Sequence, residues 1–283
     1  MNKIIQFDKI GRSHPIAGAG FGSNLHILLT IINHLSLDDN VYVDMETVPC
    51  VCTEKNFNKF NTSNCWEYYY DQIPFPKDAE VISTLATKKS HPELFTTPHF
   101  EYKNVGLLDY SNLQNKFNKF FKLKDYIKDE LDLYYNNILK EKVTLGVHIR
   151  LTDMLYHHQN YYPTKDPMKD YINKIKSILK ENPNINQIFI ATDDNRTIET
   201  ICQNVNVPVV FHQAFRADDD TNKNYIWDRM EDDREFHKYN LSLECIKEVY
   251  TLGMCNYFLR APVSAISNAA LFLNSNINKL YQL

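Results

Sequence analysis

The second half of the chain alternates between short apolar runs and stretches of helical periodicity, and this pattern restricts the fold more than any other feature of the sequence. Runs rich in β-branched and aromatic residues predict strands over residues 143–150, 187–192, 207–212 and 257–259. Apolar residues at helical spacing predict helices over residues 168–179, 197–203, 241–254 and 264–274. Because strands that alternate with helices form βαβ crossovers, the sequence predicts an α/β fold with a parallel sheet.

The first half opens with a strand, a glycine-bearing loop and a helix. The strand is predicted over residues 3–7 and the helix over residues 25–35, and between them lie Gly18, Gly20 and Gly22, three of the seven glycines of the chain. Glycines allow close approach of the backbone, and the start of a helix attracts anions. Their spacing is not that of a dinucleotide-binding loop. The loop is therefore interpreted either as a phosphate or sugar site or as an ordinary turn.

The rest of the first half is less regular. A strand is predicted over residues 40–45, and an irregular, proline-bearing region with an aromatic cluster at residues 66–70 follows it. Such rings are typical of a core, although exposed rings also hold sugars. A lysine-rich helical pattern over residues 113–139 closes this half. We therefore predict two domains, 1–140 and 141–283.

Composition and charge exclude several classes of protein. The chain has 283 residues, of which 43% are hydrophobic, so it can bury a substantial core. Its formal net charge is −4 and it has no dense basic block, which argues against nucleic-acid binding. It has neither the layout of a signal peptide nor an apolar run near the roughly 18 residues of a membrane span. We expect a cytoplasmic protein without a membrane span, and the oligomeric state stays open.

The cysteines and acidic residues do not predict a metal site. Six cysteines are dispersed along the chain, so free thiols are expected, and Cys50 and Cys52 lack a matching second pair for zinc. The acidic segment 217–235 contains three consecutive aspartates, which could hold a divalent cation on a nucleotide diphosphate. However, no apolar strand leads into that segment, so a solvated loop is the preferred interpretation.

The side chains of greatest chemical interest lie at strand ends. The first strand of the second half ends in His148 and Arg150, and Asp153 follows. Asp193 and Asp194 come directly after the next strand. In open α/β sheets, ligands bind in the crevice outside the carboxyl ends of the strands, where buried strands can carry charged residues. These residues are interpreted either as salt-bridged strand ends or as part of a ligand site.

Four segments of the chain resemble, in the same order, segments of the fucosyltransferases that make α-1,2-, α-1,6- and protein O-linked fucose. Residues 146–153 are similar to their H-x-R-x-x-D motif, and residues 189–194 resemble the next strand of the α-1,6 members, the closest in pattern. Residues 20–26 resemble their glycine loop, and residues 248–267 resemble their closing helix, strand and serine-containing turn. The resemblance implies a GT-B-like α/β fold, with two Rossmann-like halves and a cleft between them.

The resemblance also implies a reaction, the inverting, metal-independent transfer of L-fucose from GDP-fucose to a hydroxyl group of a glycan acceptor. Such a reaction must stabilise a diphosphate leaving group and remove a proton from the acceptor. Arg150 matches the family's essential arginine, whose guanidinium group can hold β-phosphate oxygens in place of a metal ion. The expected partners are the nucleotide sugar, bound mainly by the C-terminal half, and the glycan, and no cofactor is required.

Further binding residues follow from the resemblance. Glu248 stands where the α-1,6 members carry an aspartate that reads guanine, and His148 matches the motif histidine near the base and ribose. Ser264 matches a phosphate-contacting serine, whereas Asp153 and Asp194 look like supporting carboxylates. The remaining donor contacts are expected from the glycine loop, the start of its helix and the closing turn, at Gly20, Gly22, Ser23, Asn24, His26 and Ala265.

The chain departs from the family pattern at three places. Leu151 stands where many relatives have a second arginine, and Ala265 and Ile266 replace a more polar pair. His158, preceded by His157, stands where the α-1,6 members carry the glutamate proposed as the base. Imidazole can accept a hydroxyl proton near neutral pH, so these histidines are either the catalytic base or surface residues.

Two alternative functions stay open for the protein, a transferase for another nucleotide sugar and a catalytically inactive GDP- or sugar-binding protein.

Overall fold

The structure, a computed structural model, divides the chain into two compact units. It describes residues 1–7, 21–47, 52–54, 59–84, 110–152, 162–217, 234–262, 264–273 and 278–283. The first unit comprises Met1–Glu130 and Asp233–Ile246, and the second comprises Leu131–Asp232 and Lys247–Leu283. Residues 233–246 thus group with the first unit, and the predicted division at residue 140 stays a prediction.

Within the described residues, the first unit contains a three-stranded parallel sheet and a two-stranded antiparallel one. Its strands are β1 (Asn2–Gln6), β2 (Asn40–Asp44), β3 (Tyr70–Asp71), β4 (Glu80–Ser83) and β5 (Lys122–Leu123). The parallel sheet has the order β2-β1-β4, and β3 pairs with β5. Its helices are α1 (Phe21–Asn33), α2 (Tyr110–Phe120) and α3 (Asp125–Tyr134), whose last turn belongs to the second unit, and a 3-10 helix covers Cys65–Tyr68.

The core of the first unit is rich in aromatic rings. Trp66 and Tyr70 are fully buried and stack with their ring centroids 3.9 Å apart. Phe121 packs edge-on against Trp66, and the hydroxyl group of buried Tyr69 donates to the carbonyl oxygen of Tyr239 at 3.0 Å. Large rings bury much apolar area, and their tilted and offset contacts fix their positions. The aromatic run of the sequence is therefore core.

The second unit, as far as the structure describes it, is built on a five-stranded parallel sheet. Its strands are β6 (Thr144–Ile149), β7 (Gln187–Thr192), β8 (Val209–Val210), β9 (Tyr257–Arg260) and β10 (Lys279–Gln282). A π-helical turn at Tyr135–Leu139 precedes β6. The connecting helices are α4 (Pro167–Glu181), α5 (Asn195–Asn204), α6 (His237–Gly253), whose residues up to Ile246 belong to the first unit, and α7 (Ala265–Leu273). The parallel sheet predicted from the sequence is confirmed.

Strands β6 and β7 lie inside the sheet and are buried along their whole length. Parallel strands covered on both faces need such continuous apolar sequences. At Gly146, in the middle of β6, a Cβ atom would lie 3.0 Å from Cys255 Sγ and 3.3 Å from Leu252 Cδ2. The glycine therefore allows the end of α6 to pack directly against the central strand.

The order of the strands, β10-β9-β6-β7-β8, contains a reversal between β6 and β9. From β6 the chain proceeds outward through β7 to β8, and it then returns through α6 to place β9 on the other side of β6. The connections that follow β6 and β9 therefore leave the sheet in opposite directions. Such a switch point opens a crevice at the carboxyl ends of the two strands, which is where open α/β sheets bind ligands.

Candidate functional site

Three basic side chains lie at the switch point of the second unit. His148 is the penultimate residue of β6 and is 3% exposed, and Arg150 follows the strand. Arg260 ends β9 and is fully buried. Because β6 and β9 are neighbours in register, with Val147 opposite Leu259, these side chains belong to the same edge of the sheet. The arrangement places two guanidinium groups and an imidazole at the carboxyl ends of β6 and β9.

His148 is held by the first turns of α7. Its Nδ1 atom lies 2.7 Å from Ser267 Oγ, which also accepts the N–H of Ala261 at 3.1 Å. Next to them, Arg260 donates to the Asn268 Oδ1 atom at 2.9 Å. Burial, together with the positive charges of Arg150 and Arg260, lowers the pKa of His148 from 6.5 to about 3. The imidazole is therefore neutral at physiological pH and cannot serve as a base there.

The turn that carries Arg150 is fixed by Asp193 at the end of β7. The Leu151 N–H donates to one carboxylate oxygen of Asp193 at 3.1 Å, and the Thr152 hydroxyl donates to the other at 2.6 Å. The Arg150 carbonyl oxygen also accepts a hydrogen bond from the Tyr162 hydroxyl. The sequence assigned the support of this turn to Asp153, which lies outside the described residues; over residues 151–152 the support comes from Asp193.

Asp194, the supporting carboxylate chosen from the sequence, caps a helix. Its side chain accepts the N–H of Arg196 at 2.9 Å, as an N-cap residue of α5 does. The Arg196 guanidinium group also binds this carboxylate, with an ion-pair distance of 2.6 Å. Asp194 thus orders the end of β7 and the start of α5, next to the residue that holds the Arg150 turn.

Glu248 of α6 forms a buried ion pair with an arginine that the sequence did not single out. Arg216 lies 2.7 Å from the Glu248 carboxylate, and its side chain is 2% exposed. The same guanidinium group donates to the carbonyl oxygens of Thr192 at 3.0 Å and His212 at 2.9 Å. Arg216 therefore ties the end of β7 and the loop after β8 to α6, and it holds one carboxylate oxygen of Glu248 in place. The only sequence signal was a lone arginine after a predicted strand.

Ser264 and Ala265 stand at the start of α7. Ser264 is buried just before the helix, its carbonyl oxygen accepts the N–H of Asn268 at 3.1 Å, and its hydroxyl oxygen accepts the N–H of Ser267 at 3.4 Å. Ala265, half-buried, is the first residue of the helix. The start of a helix carries partial positive charge and attracts anions. This helix start follows β9, one of the two strands at the switch point.

The comparison with known proteins was made at the levels of sequence and structure. No protein-family model matches the chain, and no curated protein shows significant sequence similarity to it. Among solved structures, the α-1,6-fucosyltransferase NodZ soaked with GDP-fucose matches with a TM-score of 0.56 at 12% identity, over 97% of this chain and 93% of that one. NodZ from Bradyrhizobium matches with a TM-score of 0.54 at 12% identity, over 97% and 94%. POFUT1 in complex with GDP-fucose has a TM-score of 0.48 at 12% identity, over 99% and 97%.

The chain has the GT-B-like α/β fold of NodZ. The fold class expected from the sequence is thereby confirmed. In this fold, the second unit of the chain brings together His148, Arg150 and the start of α7 at the switch point, while Glu248 is fixed on α6.

The other predicted site residues fall into two groups. Gly22, Ser23, Asn24 and His26 lie in the first two turns of α1, and all of them except Ser23 are buried. Their expected contacts with a nucleotide sugar stay predictions. The second group lies outside the described residues and comprises Gly20, Asp153, His157 and His158.

Two features are absent from the described residues. Over those residues, no group of three or more His, Cys, Asp or Glu side chains is arranged to hold a metal ion. In the same parts of the chain, no helix is both long and apolar enough to cross a membrane.

Proposed function

We propose that this protein is a glycosyltransferase that transfers L-fucose from GDP-fucose to a hydroxyl group of a glycan, with inversion at the sugar carbon and without a required metal ion. One observation carries the proposal. The arginine and histidine of the H-x-R-x-x-D motif stand at the end of the central strand of a switch-point sheet, in a chain with a fucosyltransferase fold.

The diphosphate is the leaving group, and Arg150 is the residue proposed to hold it. A guanidinium group is always charged and can bind two phosphate oxygens at once, so it stabilises the charge that develops as the bond to the sugar breaks. The start of α7, with its backbone N–H groups and Ser264, supplies further donors for a phosphate. A rigid anion site of this kind replaces a bound metal ion.

The position where many relatives have a second arginine is buried in this protein. Leu151, which stands in its place, is 7% exposed and belongs to the hydrophobic core of the second unit. The position is therefore turned into the core and is not part of the anion site. Arg150 must bind the diphosphate without that neighbour, so contacts from the start of α7 are more important in this protein.

Glu248 is the residue proposed to recognise guanine. Guanine presents an N–H and an amino group side by side, and a single carboxylate can accept both. Adenine lacks this pair of adjacent donors. Since Arg216 fixes the Glu248 carboxylate through a 2.7 Å ion pair, the acceptor is oriented before the nucleotide binds. We expect GDP to bind more tightly than ADP for this reason.

The proton of the acceptor hydroxyl needs a base other than His148, whose pKa is lowered to about 3. The proposal assigns this role to His158 or His157, which follow the motif in the sequence. An imidazole with an ordinary pKa of about 6.5 is matched to proton transfer near neutral pH. Replacing each histidine separately by glutamine identifies which of the two is needed, because loss of the base lowers turnover and leaves GDP affinity unchanged.

The experiment that tests the proposal is a comparison of nucleotide binding followed by a transfer assay. Calorimetric titration with GDP, GDP-fucose, ADP and UDP-glucose should show binding of the two guanine compounds and at least about tenfold weaker binding of the others. An array of glycan acceptors with GDP-fucose should then yield fucosylated product and free GDP. Failure to bind GDP would overturn the donor assignment.

A second candidate function is a GDP-binding protein without transferase activity, which the burial of Leu151 in the core favours. Such a protein would bind GDP, yet it would neither transfer fucose nor hydrolyse GDP-fucose. Release of GDP from the donor, measured with and without acceptors, separates the two functions.

A further inference from the structure

We propose that Ser267 is a positioning residue that keeps the His148 imidazole in one tautomer, with its proton on Nε2. The Nε2–H group is then a fixed hydrogen-bond donor for an acceptor atom of the nucleotide. The part of this proposal that concerns the nucleotide rests on the proposed function, whereas the tautomer itself does not.

The geometry around Ser267 leaves one arrangement of protons. Ser267 is fully buried in α7, and His148 is 3% exposed, so water does not satisfy the Ser267 hydroxyl group or the His148 Nδ1 atom that faces it. The Ala261 N–H points at Ser267 Oγ from 3.1 Å, so the hydroxyl group is an acceptor in that bond. Its own proton needs a separate acceptor. Among the described residues, the His148 Nδ1 atom, 2.7 Å away, is the acceptor in reach of this hydroxyl.

The direction of that hydrogen bond fixes the tautomer. A neutral imidazole carries one protonated and one unprotonated nitrogen, and the nitrogen that accepts the serine proton is the unprotonated one. The proton of His148 is therefore on Nε2. The neighbouring charges agree with a neutral ring, because the guanidinium groups of Arg150 and Arg260 both disfavour an imidazolium at this place.

The fixed donor selects the chemistry of its ligand. An Nε2–H group binds an oxygen or an unprotonated ring nitrogen and is repelled by an amino group. The 6-oxo group of guanine and a phosphate oxygen are both suitable, whereas the 6-amino group of adenine is not. Ser267 would thus contribute to nucleotide selection without contacting the ligand, because it orients His148. Residues behind the histidine ligands of metal sites act in the same way.

The tautomer is tested by nuclear magnetic resonance of protein labelled with 15N-histidine, with the His148 signals assigned from a His148→Gln variant. In the wild-type protein we expect an unprotonated Nδ1 and a protonated Nε2. In Ser267→Ala the Nδ1 bond is lost and a mixture of tautomers should appear, while Ser267→Thr, which keeps the hydroxyl group, should preserve the wild-type signals. A wild-type spectrum with the proton on Nδ1 would overturn the proposal, whether or not the protein binds GDP.

The effect on the ligand is tested by calorimetry on the same variants. Ser267→Ala should weaken GDP binding about five- to tenfold, the effect of a misplaced hydrogen bond, and Ser267→Thr should restore it. The diphosphate of 2,6-diaminopurine riboside, which has an amino group in place of the 6-oxo group, distinguishes the acceptor atom. If His148 donates to the 6-oxo group, Ser267→Ala loses affinity for GDP alone; if it donates to phosphate or to a ring nitrogen that both purines share, Ser267→Ala binds both ligands more weakly.

The matched control is Ser242→Ala, which removes another buried helical serine hydroxyl, located in the first unit. It should change neither the His148 signals nor GDP affinity. If wild-type protein binds GDP and Ser267→Ala binds it equally well, Ser267 does not position His148 for the ligand. If wild-type protein does not bind GDP, the proposed function fails instead, and the spectra alone decide the tautomer.

Discussion

The two sides of the second unit's sheet use charged residues in different ways. On the β7–β8 side, acidic groups are matched within the protein, with Asp194 bound to Arg196 and Glu248 bound to Arg216. On the β6–β9 side, two guanidinium groups lie close to a neutral imidazole. Arg260 donates to an amide, and the neighbouring histidine is kept neutral by burial and by two guanidinium groups.

The two sides therefore differ in what their charged groups do. The ion pairs of the β7–β8 side order the elements that they join, whereas guanidinium groups beside a neutral imidazole at the ends of β6 and β9 are suited to attract an anion. Asp193 joins the two sides, since it ends β7 and holds the turn that carries Arg150. We therefore expect substitutions of Arg150 on the β6–β9 side to affect the chemical step, and substitutions of Arg196 and Arg216 on the β7–β8 side to affect stability, whereas Glu248, which Arg216 orients, also affects guanine binding.

The largest expected effect comes from Arg150→Ala. Loss of the group proposed to hold the leaving diphosphate should reduce fucosyl transfer by about a factor of 1,000 or more. Arg150→Lys keeps the charge and loses the planar fork, so its activity should be intermediate. Turnover is measured as GDP released per enzyme, and urea unfolding serves as the control for folding. Near-normal turnover of Arg150→Ala would show that the β6–β9 side does not have the chemical role assigned to it.

The second prediction concerns the buried pair on the other side. Arg216→Met leaves the Glu248 carboxylate without its ion-pair partner at a nearly buried position, and it should lower the free energy of unfolding by about 3–5 kcal/mol. Replacing both residues, as Arg216→Met with Glu248→Leu, removes the isolated charge and should recover most of that loss. Both variants are measured by urea unfolding.

Arg196→Ala is the matched control, since the Arg196 side chain is 47% exposed and its ion pair with Asp194 lies near solvent. Its effect should be about 1 kcal/mol or less. If Arg196→Ala and Arg216→Met were equally destabilising, the buried ion pair would not have the supporting role that separates the two sides.

The strands that position the site were predictable because of their burial. Strands β6 and β7 are continuous apolar runs, and their observed bounds agree with the predicted ranges to within one residue. In contrast, β10 was missed: it is a short edge strand of mixed sequence, and Tyr281 is its one buried residue. A strand without an apolar pattern forms because it pairs with a neighbouring strand, here β9, so its own sequence does not predict it.

The site residues show the same limit. His148 and Arg150 could be found because a charged motif at the end of a buried strand is unusual in itself. Ser267 and Arg216 act through partners distant in sequence, since Ser267 Oγ lies 2.7 Å from an atom of His148, 119 positions away, and Arg216 binds Glu248, 32 positions away. Of the two aspartates after β7, the sequence favoured Asp194, yet Asp193 holds the Arg150 turn. The choice between adjacent carboxylates depends on which one faces β6, and no local pattern records that.

The smallest expected effect is a dependence of stability on pH, and it arises from one buried histidine on each side. Burial lowers the pKa of His148 to about 3 and that of His212, which bonds to the Thr251 hydroxyl at 2.7 Å, to about 4. The unfolded chain takes up these protons below a pH of about 6.5, while the folded chain does not. The stability contributed by each neutral ring is therefore complete above pH 6.5 and is lost as the pH falls toward the folded pKa.

Each histidine should contribute a slope of up to about 1.4 kcal/mol per pH unit between pH 6 and pH 4, measured by urea unfolding at several pH values. His212→Gln should remove its own share of that slope and leave GDP affinity unchanged, because His212 lies on the supporting side. His148→Gln should remove the other share and also weaken GDP binding. Equal GDP affinities in the two variants would show that the neutral histidine beside Arg150 is a core residue like His212, and the distinction between the two sides would then rest on the arginines alone.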